Sequence, residues 1–360
     1  MTRPAPDPDR LRQKETSVTT PDWFVFRGTG EPHDGVERLP PPPPWRAFDG
    51  EPLIEAVPPL GSESTRRLGT RGTSGTVWRP EELELINAAL YLRRPLLVTG
   101  DPGSGKSTLA HALAHELGLG RVLHWPIVSR TALRDGLYSY DAIARLHDMQ
   151  MARETGEAYT EDIGEYVRLG PLGTALLPHA RPRVLLVDEL DKSDIDLPND
   201  LLNALEEGEF RIAELQRIAR RQPEVRVLTD DGDRAPVQKG RIRCRAFPVV
   251  VMTSNGERDF PAPLLRRCLH LDLPSPRNDD WGTARLDSMV RAHFGATDLS
   301  GSDRLISDFL QASPGSLRAA DQLLNAIYLT QEAVRDSEPD RQRLAELLMR
   351  PLDQGDHGAR

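Results

Sequence analysis

The chain predicts an α/β fold, a parallel sheet flanked by helices and followed by a small all-helical unit. Three observations carry that reading. Apolar runs suited to a sheet buried on both faces lie at 96–100, 122–127, 184–187 and 248–252, and 269–273 can add a fifth strand. Segments of helical periodicity separate them. Beyond Pro274 the pattern is helical only, with candidates near 279–294, 303–312, 315–331 and 338–349.

Composition bounds the setting. At 360 residues there is room for one large domain or two ordinary ones. The net charge of −9 supplies no global positive field toward nucleic acid or anionic lipid. Cys244 and Cys268, the two cysteines, have no metal-site spacing and suit a reducing compartment. No apolar run reaches the roughly twenty residues that cross a bilayer, and the N-terminus lacks an apolar signal core. A cytoplasmic protein without membrane contact is expected.

Residues 1–75 are rich in proline, glycine and charge, with five consecutive prolines at 40–44, and predict a largely disordered leader. Its aromatics Trp23, Phe24, Phe26, Trp45 and Phe48 are either incidental or anchors that dock on the body or a partner. Pro80 opens a helix with Leu83, Ile86 and Leu90 on one face, ending near Arg93 and Arg94. The run 96–100 comes next, then a glycine-rich turn and a helix with Leu109, Leu113 and Leu117 at four-residue spacing, stopped by Gly118 and Gly120.

Past the strand at 122–127, residues 139–155 predict a helix with Ile143, Leu146 and Met149 inward, and the following stretch reads as an insertion. The run 184–187 ends in Asp188-Glu189. Pro198 opens a helix carrying Leu201, Leu202 and Leu205 and closing at Gly208. Residues 209–246, with many charges and a turn signal at 229–233, predict a helix-and-hairpin excursion. The run 248–252 then delivers Thr253, Ser254 and Asn255 at a strand end. The implied division is 1–75 leader, 76–275 α/β unit, 276–350 helical lid and 351–360 tail.

The chemistry concentrates on Gly100, Asp101, Pro102, Gly103, Ser104, Gly105, Lys106, Ser107 and Thr108, which read G-x-x-x-x-G-K-S between a strand and a helix. Glycines let backbone N–H groups converge on an anion, and the new helix presents unpaired donors. Lys106 can reach the terminal phosphates of a nucleoside triphosphate, and the Ser107 hydroxyl can ligate Mg²⁺. Hydrolysis further needs a held metal, a polarised water and cations for developing charge. Asp188, closing a buried run, can hold Mg²⁺; Glu189 can orient or deprotonate water; Asp191 reads as a cap for the next turn. Asn255 either positions that water or satisfies its own turn. Arg266 and Arg267 are either a surface doublet or an arginine finger across a ring interface. Arg318 either reaches the phosphates from a lid helix or is a surface residue.

The set GDPGSGKST, LLVDELDKSD, VVVMTSN, LLRRC and SPGSLR resembles AAA+ ATPases, with Walker A, Walker B, sensor 1, arginine finger and sensor 2 in order over residues 76–350. The segment from GPLGTALLPHARP through LLNALEEGEF looks like MoxR-type members. The resemblance implies a five-stranded P-loop sheet with the sensor strand between the Walker strands, a helical lid and a ring, usually a hexamer. It maps the Walker lysine, Walker B pair, sensor and finger onto Lys106, Asp188 with Glu189, Asn255 and Arg267, with Arg266 as a second candidate finger. It also implies ATP with Mg²⁺ and a protein partner bearing a von Willebrand factor A domain; ATP over GTP comes from the resemblance alone. LDKSD after Walker B, RRC at the finger and a long 209–246 segment depart from the family pattern.

His111 and His115 share a helix face, but without a third nearby ligand they read as core or surface histidines. The basic runs 211–221 and 239–245 carry no aromatic stacking residues and read as a solvated or inter-subunit face, so nucleic acid is disfavoured. The function expected is Mg²⁺-dependent ATP hydrolysis that remodels or activates a protein partner. The rivals are a nucleic-acid-stimulated NTPase motor of a restriction or defence type and a non-hydrolysing nucleotide switch.

Overall fold

The computed structural model describes residues 21–69, 76–155, 162–273, 280–294, 302–310, 320–332, 343–344 and 347–349. In chain order the strands are β1 (Leu96–Gly100), β2 (Leu123–Pro126), β3 (Tyr138–Tyr140), β4 (Val167–Leu169), β5 (Val184–Asp188) and β6 (Glu209–Arg211). They continue with β7 (Glu224–Leu228), β8 (Arg234–Gln238), β9 (Arg241–Arg243), β10 (Val249–Ser254) and β11 (Leu269–Leu273). Five of them form the main sheet in the order β11-β1-β10-β5-β2, and every neighbouring pair is parallel.

Side-chain alternation explains why these runs are apolar throughout. Leu97, Leu185, Val187 and Met252 enter one core cluster, while Leu96, Val98, Leu186 and Val251 enter the cluster on the opposite face. The helix Lys106–Glu116 packs on the second face through Leu109 and Leu113, with Leu117 just beyond its end. The strand carrying Asn255 at its exit, β10, lies between β1 and β5 as expected.

A second, six-stranded sheet in the order β3-β4-β7-β8-β9-β6 gathers the insertion and the 209–246 excursion. Of this sheet the sequence predicts the β7–β8 hairpin alone; Val225 pairs Val237 and Val227 pairs Ala235 across it. The three-residue strands are too short to register a period, and Pro236 sits inside β8. The helix Ala142–Thr155 forms, but the inward assignment of its apolar residues is corrected: Ile143 is 83% exposed and Leu146 57%. Polar contacts on another face hold this helix, from Arg145 Nη1 to Tyr140 Oη at 3.0 Å and from Tyr166 Oη to Asp148 Oδ2 at 2.9 Å.

Composition predicts disorder through residue 75, yet residues 21–69 lie against the body. Val25 and Phe26 are fully buried, and their N–H groups donate to Asn87 Oδ1 at 2.7 and 2.9 Å. Buried Glu116 accepts the N–H groups of Arg27, Gly28 and Gly30 at 2.6, 3.1 and 3.0 Å. Two side chains of the body thus satisfy leader backbone that would otherwise cost desolvation. The short helix Ser62–Leu68 docks on Lys106–Glu116, where Ser64 Oγ and buried His111 Nδ1 are hydrogen bonded at 2.9 Å. Burial, helped by nearby Arg67, pushes the His111 imidazole down to about 4.

The C-terminal helices Asp280–Phe294, Ser302–Leu310 and Ala320–Glu332 share a small core of Leu286, Val290, Phe309, Leu323 and Ile327. Arg285, buried against Glu82 and stacked 5.1 Å over Trp78, joins the first of them to the body. Residues 311–319 and most of the predicted 338–349 helix lie outside the described residues. Among the described residues no helix is long and apolar enough to cross a membrane.

Phe26→Ala should lower unfolding free energy by about 3 kcal/mol or more in urea titrations, whereas Ile143→Asp should change it by less than about 0.5 kcal/mol. The depressed His111 value sets the sign of a pH effect. The unfolded chain takes up the proton first, so this contribution is complete above pH 6.5, falls as pH drops and levels off near 4. Urea titrations between pH 7 and 4 should show that decline, about 3 kcal/mol from His111, and His111→Gln should reduce it while leaving the share of buried His179, also lowered to about 4.

Candidate nucleotide site

The loop leaving β1 is shaped by glycines that let backbone approach closely. Gly100, Gly103 and Gly105 have φ of 144°, 80° and 90°, conformations that L side chains rarely adopt. A Cβ on Gly100 would stand 2.3 Å from the Leu273 carbonyl oxygen of neighbouring β11. Ser104 is buried, and its N–H closes the turn onto the Asp101 carbonyl at 3.1 Å; Asp101 and Pro102 are exposed at the tip. Lys106 Nζ donates to the carbonyls of Gly100 and Asp101, both at 2.8 Å, and burial lowers its pKa.

At the end of β5, Asp188 Oδ1 accepts the Ser107 and Thr253 hydroxyls, each at 2.7 Å, while His124 Nε2 lies 3.2 Å from Oδ2. Burial alone would raise this carboxyl. The contacts to His124, Ser107 and Thr253 outweigh it and hold the group well below the usual carboxylate range. Hence Asp188 is ionised at neutral pH. Glu189 takes the left-handed conformation, φ 61°, uncommon for a non-glycine residue. Its N–H donates to Thr253 Oγ1 at 2.8 Å, and Lys192 Nζ donates to its Oε2 at 2.7 Å.

Asp191 does other work than capping the turn after it. Buried, it accepts the N–H groups of Asn255 and Glu257 at 2.9 and 3.1 Å, so it fixes the loop leaving β10. Lys106, Ser107, Asp188, Glu189 and Asn255 all face one cavity of about 460 Å³, with Gly103, Gly105 and Thr108 on its wall. Helix Asp280–Phe294 contributes Met289 and His293, and the leader helix contributes Arg66 and Arg67. A smaller cavity of about 100 Å³, walled by Phe26, Trp78 and His115, shares Gly105, Thr108 and Arg67 with it.

Other candidates lie elsewhere. Arg266 and Arg267 are exposed on the helix Ala262–Arg267 and do not line the cavity. Arg267 Nε stands 3.9 Å from Glu206 Oε1, which also pairs with Arg46 Nη2 at 2.5 Å. Arg318 lies outside the described residues. Among the described residues no group of three or more His, Cys, Asp or Glu is placed to hold a metal ion. Cys244 and Cys268 are buried, and burial pushes both thiols up to about 12.

Sequence reasoning missed His124, Thr253, Arg66 and Arg67. A threonine at a strand exit could have been flagged, since β10 places Thr253 one step beyond the Met252–Val187 pairing, beside Asp188. The other three carry no local signal, because only packing of the leader brings Arg66 and Arg67 to the cavity and only the pairing of β2 with β5 brings His124 to Asp188.

Among curated proteins nothing matches the chain. Among solved structures it is similar to NtrX from Brucella abortus in complex with ATP, at 13% identity and TM-score 0.38, over 72% of this chain and 52% of that one. NtrX from Brucella abortus in complex with ADP matches at 14% identity and TM-score 0.39, over 78% and 56%. C. elegans PCH-2 matches at 13% identity and TM-score 0.31, over 80% and 70%. The chain spans about half the length of the two Brucella chains. Residues 95–268 match the family model described as AAA domain (dynein-related subfamily). That span includes the glycine-rich loop, β5 and the exit of β10, the parts of the chain that carry the floor of the cavity.

Proposed function

We propose that this protein is a Mg²⁺-dependent ATPase of the AAA+ class, MoxR-like in type, that works as a ring to remodel or activate a protein partner. The observation that carries the reading is the 2.7 Å contact of Ser107 Oγ with an ionised Asp188, beneath the glycine-rich loop and beside Lys106. A hydroxyl and an anionic carboxylate are hard oxygen donors of the kind Mg²⁺ takes, so the residues present fit the ion. Ser107 and Asp188 would hold it, and the bound ion would supply neutralisation of phosphate charge.

The chain's own residues account for the remainder. Backbone N–H groups of Gly103, Gly105, Lys106 and Ser107 receive the phosphates, and Lys106 turns its ammonium from the loop carbonyls to them. Glu189 orients the attacking water and accepts its proton, and Asn255, fixed through Asp191, holds that water in line. The nucleoside end is directed to the smaller cavity beside Phe26 and Trp78. Exposure of Arg267 suits a finger reaching a neighbouring subunit, with Arg266 the alternative and Arg318 a lid contact. Residues 76–275 serve as the nucleotide-binding unit, 276–350 as the lid and 351–360 as a tail. The ring, a hexamer, acts in the cytoplasm on a partner bearing a von Willebrand factor A domain.

Lys106→Ala should abolish ATP binding in calorimetry. Glu189→Gln should retain binding while kcat for phosphate release falls by about a hundredfold or more; normal turnover in that variant would refute the assignment of the base. Arg267→Ala should lose turnover only at concentrations where the ring assembles, read from activity against protein concentration.

A further inference from the structure

The leader helix Ser62–Leu68 is wedged at the mouth of the large cavity. Ser64 fastens it to His111 on one side. On the other, His293 Nε2 lies 3.2 Å from the Arg66 carbonyl oxygen, and a Cβ on Gly69 would meet the Ala292 carbonyl at 2.4 Å. The helix is therefore pinned between the glycine-loop helix and the first C-terminal helix, and this seat makes Arg66 and Arg67 cavity walls.

The two arginines are not equivalent. Arg67 Nε donates to Glu63 Oε1 at 3.1 Å, and that carboxylate also faces His124 Nδ1 at 3.6 Å. Arg66 is exposed and makes no ion pair among the described residues. The cavity carries three carboxylates, Asp188, Glu189 and Asp321, while the glycine-rich loop contributes one cation, Lys106. A divalent ion would only balance that excess of two negative charges, so the charge of an entering polyphosphate calls for further cations. The remaining cations on the described wall come from the leader helix.

We propose that Arg66 is a phosphate-binding residue acting in its own subunit, its guanidinium donating to the non-bridging oxygens of the terminal phosphates. The fork of N–H donors matches phosphate geometry, and a helix held on two sides presents it with the backbone already placed. This rests on the nucleotide-site reading and extends it to a segment outside the matched 95–268 domain. It makes the leader a component of the site as well as a cover for the core.

The test measures Mg²⁺-ATP, ADP and AMP binding to the full chain by calorimetry, for wild type, Arg66→Ala, Arg66→Lys and Thr65→Ala, with urea midpoints as the check on folding. Arg66→Ala should weaken ATP about tenfold and ADP less, leave AMP unchanged and keep the wild-type midpoint. Arg66→Lys should recover part of the ATP loss, and Thr65→Ala should behave as wild type. Equal ATP affinity in Arg66→Ala and wild type, or the same proportional loss for all three nucleotides, would overturn the assignment while leaving the nucleotide site standing. Failure of wild type to bind ATP at all would remove the site itself and Arg66 with it.

Discussion

The Asp188 carboxylate is the group on which the rest of the site depends. Three elements meet at it: the helix after the glycine-rich loop through Ser107, β10 through Thr253, and β2 through His124. Each supplies a contact that offsets part of the cost of burying an anion, and together they hold it ionised. Because Thr253 Oγ1 also accepts the Glu189 N–H, the same cluster fixes the strained backbone that aims the next carboxylate. The parallel register of β10 on β5 is what makes this possible, since a one-residue slip would turn Thr253 to the other face.

A similar logic orders the leader. Its composition is too poor in apolar residues to promise a fold, and only Phe24, Val25, Phe26 and a few others bury deeply. Asn87 and Glu116 supply the rest: each lies on a body helix and accepts N–H groups from the leader main chain. Glu116 is a fully buried acid that needs those donors as much as the leader needs an acceptor. The docked leader then brings Ser62–Leu68 to the cavity mouth, so a folding interaction becomes a feature of the site.

Which parts were legible in the sequence follows from the range of the interactions. The strands of the main sheet could be read because burial on both faces leaves runs such as VLLV, and the loop could be read because its glycines serve a local backbone need. The second sheet could not, since strands of three residues at β3, β4, β6 and β9 carry no measurable alternation. Ile143 and Leu146 misled because helical periodicity states that a face is apolar without stating what covers it. Asp191 was read through its neighbours in sequence, whereas its partners Asn255 and Glu257 lie on another strand's exit. His124 and Arg66 are legible only once topology has placed them.

Strand β5 also ties the two sheets together along its length. Its last residue is Asp188, and the residue just before its first is Arg183, which is 2% exposed and forks onto Asp231 at 2.7 and 3.0 Å. Asp231 sits in the β7–β8 turn, where Thr174 Oγ1 accepts the Asp230 N–H at 2.9 Å and Arg121 adds a second cation. A buried pair of this kind is costly to break one partner at a time, so the turn of the second sheet is held to the start of β5. With four of its five residues paired to each neighbouring strand, β5 has little freedom to stretch or slip. Displacement of the carboxylate end of β5 would therefore be passed to the second sheet as a shift of the whole strand. The Asp188 carboxylate and the β7–β8 turn are in this way held by the two ends of one short strand.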